Sequence, residues 1–107
     1  MAPATRNDPV LDHFSAAVRK IYGDRLERIV LFGSRARGDP APDSDYDVAV
    51  FLRDMPDRMA ELDRLADLRL AFLDETGAFF DAFPYPASAY RDGSPLMHEI
   101  RREGRDL

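Results

Sequence analysis

The stretch VLFGSRARGDPAPDSDYDVAVFL, residues 30–52, constrains what this chain can fold into more than any other. It reads as a strand, a Gly-Ser turn opening a short arginine-bearing helix, a loop rich in Pro and Gly, and a second strand that starts on two alternate carboxylates. Asp45 and Asp47 are two positions apart. Side chains on an extended strand repeat with period two, so both project from one face. Like charges held that close on a half-buried strand repel. A hard divalent cation, Mg²⁺ above all, offsets the repulsion, because it takes carboxylate oxygens and completes its octahedron with water and substrate phosphate. Gly33 permits a sharp exit from the first strand. Ser34 can cap the short helix, whose first backbone N–H groups then face an anion. The pattern is that of one or two metal ions beside a phosphate.

The rest of the chain reads as support for that unit. Residues 1–7 carry no periodic pattern and are expected to form a flexible tail ahead of one domain over 8–107. Asp8-Pro9 is a cap-and-proline start for a helix over 9–22, with Phe14, Val18 and Ile21 at helical spacing and Gly23 as its stop. Leu26 to Phe32 is a mostly buried strand, β-branched and aromatic, and Tyr46 to Leu52 is the second. Alternation puts Asp45, Asp47, Ala49 and Phe51 on one face of that strand and Tyr46, Val48, Val50 and Leu52 on the other. A long helix from Pro56 to Thr76 is expected to turn Met59, Leu62, Leu65, Ala66, Leu68, Phe72 and Leu73 to the sheet and its Arg, Asp and Glu residues outward. AFFDAF, residues 78–83, reads as a third strand with the Phe79, Phe80 and Phe83 group in the core, and PYPASAY after it as an irregular edge or a loop. Ser94-Pro95 opens a last helix over 95–103, stopped by Gly104. The expected class is an α/β (α+β) sandwich, a small mixed sheet covered by helices.

Charge and composition narrow the function. A net charge of −5 argues against broad electrostatic binding of nucleic acid, which needs a clustered basic surface. Zero cysteines exclude a disulfide scaffold and a Cys-based zinc site, and fit the cytoplasm. The opening MAPATRNDP has no apolar core of a signal peptide, and no run approaches the roughly 18 apolar residues of a membrane span, so a soluble, non-exported protein is expected. Asp81 is the lone charge in its apolar segment and joins Asp45 and Asp47 if its strand lies beside the second. Asp43, in an Asp-Ser turn, is read as turn chemistry, and His13 and His98 as surface or cap residues.

Gly33-Ser34, ten residues, then Asp45-Tyr46-Asp47 resembles the signature of the nucleotidyltransferase superfamily that shares the catalytic core of DNA polymerase β. Arg-Ala-Arg-Gly after the serine, and PLMHEIRREGRDL at the C-terminal end, further resemble its minimal members, the MNT proteins, which are often encoded beside a helical HEPN-domain partner as a toxin–antitoxin pair. The resemblance implies a polymerase β-like fold and a Mg²⁺-dependent transferase using ATP as substrate. Asp45, Asp47 and Asp81 would hold one or two metal ions, Asp81 would be the base, and Gly33, Ser34, Arg35 and Arg37 would hold the triphosphate. The implied partner is the HEPN toxin, and the implied reaction moves AMP from ATP to a tyrosine hydroxyl of that toxin. Two other readings stand beside it: a non-catalytic antitoxin that neutralises its toxin by binding, and a transferase for an aminoglycoside-like small molecule that borrows its acceptor surface from a partner chain.

Overall fold

The structure, a computed structural model, describes residues 8–38 and 45–107. The expected tail over 1–7, and the part of the loop holding Pro40, Pro42 and Asp43, lie outside the described residues.

The first helix, α1 (Pro9–Tyr22), is capped by Asp8, whose side chain accepts from the Leu11 N–H, and is stopped at Gly23. Strands β1 (Leu26–Phe32) and β2 (Tyr46–Leu52) pair antiparallel. Helix α2 (Arg58–Thr76) starts two residues after Pro56, because Asp57 is the residue whose side chain caps Ala60 N–H. It crosses back to β3 (Phe80–Pro86), which runs parallel to β2. After a 3₁₀ turn over Ala87–Arg91 come α3 (Pro95–Glu103) and the two-residue β4 (Arg105–Asp106), which returns antiparallel to β1. Among the described residues, the sheet order is β3-β2-β1-β4. The expected small mixed sheet covered by helices is the one found.

Alternation along β2 divides the core as its sequence implied. Tyr46, Val48, Val50 and Leu52 pack with Phe14 and Val18 of α1 and Leu65 and Phe72 of α2. Ala49 and Phe51 pack on the opposite face with Val30, Ala89, Met97 and Ile100. Helices α1 and α2 therefore cover one face and α3 the other, and Asp47, in phase with Ala49, faces the α3 side. Gly104 lets α3 close onto β1: a Cβ there would run into the Ile100 carbonyl oxygen and the Val30 Cγ1.

Four expectations change. The third strand continues through Pro84 and Pro86 where a loop or irregular edge was expected, because β3 is an edge strand and a proline costs nothing where no ladder bond is made. The carbonyls of Phe80 and Pro84 on that outer edge accept from the Arg69 Nε at 2.7 Å and the Arg58 guanidinium at 3.3 Å. Met59 of α2 is 65% exposed, not turned to the sheet, while Glu61 is 4% exposed inside it. Glu61 is tolerated there because Arg25 donates to it at 2.8 Å and Arg64 at 3.1 Å. Of the three phenylalanines assigned to the core, Phe80 belongs there, stacked on Phe14 at 3.9 Å, whereas Phe79 and Phe83 are 57% and 37% exposed. His13 is exposed, as expected of a surface residue, with its ring edge-on to Phe72.

Candidate active site

The parallel register of β2 and β3 puts Asp47 directly beside Asp81, and the antiparallel register of β1 puts Phe32 beside Asp47 on the other side. Asp45, one residue before β2, is exposed and near enough to Asp81 to raise its affinity for protons. The three carboxylates that sequence singled out therefore lie at one end of the sheet, with Asp47 and Asp81 side by side on the α3 side. They perturb one another. Burial, followed by the charges of Asp81, Asp45 and Glu99, pushes the Asp47 carboxyl above its ordinary range, against a smaller opposing pull from Arg37. Burial and the contact with Asp45 push Asp81 up as well, partly offset by Arg69.

Gly33 ends β1 with φ +76°, a left-handed conformation that favours glycine. A Cβ at this position would collide with the Asp47 carboxylate, meeting Oδ2 well inside van der Waals contact and Cγ at 3.2 Å. Backbone thus abuts the central acid with no room for a side chain. The segment after it is not the expected short helix. It is a run of turns, in which the Ala36 and Arg37 N–H groups donate to the Gly33 carbonyl at 3.1 and 3.2 Å and Gly38 donates to Arg35. Five residues ending on a glycine with φ +75° are too few to propagate a helix. Those two N–H groups are thereby used internally, and Ser34 is half-buried.

The two arginines of the turn diverge. Arg35 lies over the Tyr46 ring at 4.0 Å, on the α1 side. Tyr46 in turn stacks on Phe80 and donates to the Asp8 carboxylate at 2.7 Å; burial first, then that bond, lifts its phenol to about 12. Arg37 reaches the other way, to Glu103 at the end of α3, at 3.3 Å. Arg35 and Arg37 thus fasten the turn to both layers.

Sequence reasoning missed two groups. Arg69 of α2 wraps the edge of β3 and pairs with Asp81 at 3.3 Å. Glu99 of α3 adds a fourth negative charge near Asp47. Helical spacing placed Arg69 on a solvated face and gave no reading of Glu99; only the packing of α2 and α3 around the sheet end brings both in.

Carboxylate oxygens from three neighbouring positions are the donors a hard cation takes, and their mutual repulsion is what a cation relieves, so the chemistry of the set fits Mg²⁺. Among the described residues, however, no three acidic or imidazole side chains are gathered closely enough to hold an ion between them. The Asp81 carboxylate is instead drawn to Arg69.

The chain is similar to several known proteins. Over 47 residues the chain is 40% identical to Methanocaldococcus jannaschii "Putative protein adenylyltransferase MJ0141", covering 44% of this chain and 48% of that one. The chain thus spans about half the length of the curated relatives it matches. Among solved structures it is similar to a "putative minimal nucleotidyltransferase", with TM-score 0.60 and 26% identity over 92% of this chain and 93% of that one. It shares its fold with a toxin–antitoxin protein crystallised with AMP-PNP, with TM-score 0.62 and 21% identity over 89% of this chain and 70% of that one. Residues 11–83, which hold the Gly-Ser turn and all three aspartates, match the nucleotidyltransferase domain family, and this chain belongs to it.

Proposed function

We propose that the chain is a Mg²⁺-dependent adenylyltransferase, moving AMP from ATP to a hydroxyl of a partner protein, and that it serves as the antitoxin of a HEPN toxin whose tyrosine is the acceptor. The observation that carries this is the register that lays Asp47 beside Asp81 with the Gly33 backbone pressed against Asp47. A protein adenylyltransferase among its relatives and a toxin–antitoxin structure with AMP-PNP among its fold neighbours support it.

In this reading Asp45, Asp47 and Asp81 hold the cation, which when bound supplies positive charge to the reacting phosphate. Gly33 and Ser34 receive the triphosphate, and Arg35 and Arg37 fix the turn that carries them. The acceptor oxygen forms a bond to the α-phosphorus, the bond from that phosphorus to the bridging oxygen of the β-phosphate breaks, and pyrophosphate leaves. The acceptor proton passes to Asp81, the acid that lies beside Asp47 in the register. Positioning and electrostatics provide most of the rate in such transfers.

The test is transfer to the purified HEPN-type product of the adjacent gene from ATP labelled at the α- or the γ-phosphate. Label retained from the α position alone is expected. Label from the γ position, or none from either, contradicts the proposal. The Arg69–Asp81 pair favours a second reading, in which the acids are neutralised and the chain silences its toxin by occupancy; stoichiometric protection without ATP would select it.

A further inference from the structure

Helix α2 is apolar on more of its circumference than the core uses. Leu65, Leu68 and Phe72 face the sheet, while Met59, Ala66, Leu70 and Leu73 form a second stripe at helical spacing, with Ala66 and Leu73 half-buried where the sheet was expected to cover them and Met59 and Leu70 exposed. Met59 and Leu70 are 65% and 64% exposed. Beside the stripe, Ala66, Arg69, Leu70, Leu73, Phe79 and Phe80 line a groove of about 350 Å³. Phe83 extends the apolar surface along β3, with the Arg69 guanidinium 5.4 Å from its ring. The stripe runs for roughly 20 Å at the helical rise of about 1.5 Å per residue.

Three features say what fits here. Asp63, Asp67 and Asp74, all exposed, flank the stripe on one side at helical spacing. The outer edge of β3 is closed to an added strand, because prolines stand at 84 and 86 and Arg69 and Arg58 occupy the Phe80 and Pro84 carbonyls. Arg69 also links the groove to the acids on the other face, since it lines the one and reaches over the β3 edge to pair with Asp81.

We infer that this face seats the acceptor protein, through a helix of that partner with apolar side chains along one side and Lys or Arg beside them. The inference rests on the protein-acceptor reading above and adds the surface that reading lacks: a partner held along α2 presents its hydroxyl past Arg69, over the β3 edge, to Asp81.

The test compares the wild-type chain with Leu70→Gln/Phe79→Ser and with Asp63→Asn/Asp67→Asn/Asp74→Asn, each against the purified helical product of the adjacent gene. Both variant sites are solvent-facing, so unchanged melting curves are expected. The apolar variant is expected to raise Kd and KM for the partner at least tenfold while kcat and the affinity for Mg²⁺·ATP stay within twofold. The charge variant is expected to weaken binding and flatten its salt dependence. Partner binding within twofold of wild type in both variants overturns the inference, as does self-association of this chain that the apolar variant abolishes, which would give the face to a second copy. A wild-type chain that binds the partner through this face yet transfers nothing defeats the adenylyltransferase reading alone. One that binds no partner defeats both.

Discussion

Gly33→Ala separates the backbone's local conformational needs from the site's demand for space. Gly33 and Gly77 have nearly the same left-handed φ, +76° and +77°, so alanine meets the same backbone penalty at each, about 1–2 kcal/mol. Their surroundings differ. A Cβ at Gly77 has nothing within 4 Å, while one at Gly33 runs into the Asp47 carboxylate. Relief of that collision displaces the carboxylate by roughly 1 Å, and a misplacement of that size costs about 10²-fold in rate, or about 2.7 kcal/mol of transition-state stabilisation. Both variants should therefore melt about 4–16 °C below wild type, at about 4–8 °C per kcal/mol for a domain near this size. In single-turnover transfer from α-labelled ATP, Gly77→Ala should retain the wild-type rate and Gly33→Ala should lose about 10²-fold. Equal rates for the two variants would refute the placement of Gly33 against the central acid.

Three further outcomes follow from the packing and the charges. Phe14→Ala empties a fully buried position stacked on Phe80 and edge-on to Phe72, and should cost about 3–5 kcal/mol in denaturant unfolding. Tyr46→Phe removes the bond to the Asp8 cap but keeps the ring under Arg35; a loss of about 1 kcal/mol with transfer nearly intact is expected, and a larger loss of transfer than of stability would give the hydroxyl a role in the site. The pH dependence of unfolding should change in opposite directions in two aspartate and glutamate variants. Burial alone would raise Glu61, but the hydrogen bonds from Arg25 and Arg64 hold it below its ordinary value, so it stabilises the fold above the unfolded pKa and that contribution is lost as pH falls through the folded one. Glu61→Gln should remove that acid-side loss. Asp47 is raised, so the folded state binds protons that the unfolded chain has released, and stability falls as pH rises from the unfolded value through the folded one. Asp47→Asn should therefore be more stable than wild type at neutral pH in melts without divalent cations, a sign opposite to that for Glu61→Gln.

The parts of the fold legible in the sequence are those where one local rule decides. Asp8-Pro9 and Ser94-Pro95 mark helix starts by cap chemistry, and β2 declares its two faces because each is buried against a different layer. What was not legible depends on position in the sheet or on distant partners. Pro84 and Pro86 break a central strand but not an outer edge, and nothing local says which β3 is. Glu61 looks like a solvated residue until Arg25 and Arg64 are packed onto it. Phe79 and Met59 look like core until the sheet is in place. The two residues of β4 are too short to carry a pattern. At the site, the Asp-x-Asp pair was legible from its period of two, and Asp81 from its isolation among apolar residues. Their placement together required the parallel register, and Arg69 and Glu99 come in only with the packing of α2 and α3.

The central claim, that the acids where β2 meets β3 carry nucleotidyl transfer, is tested most directly by Asp47→Asn. Single-turnover incorporation of AMP into the HEPN-type partner should be measured with wild-type and variant chains in Mg²⁺ and again in EDTA, alongside melting curves. The account predicts transfer by wild type in Mg²⁺, none in EDTA, and a loss of at least 10³-fold in a variant that remains folded and still binds its partner. Transfer by folded Asp47→Asn at the wild-type rate, or wild-type transfer undiminished in EDTA, would contradict it.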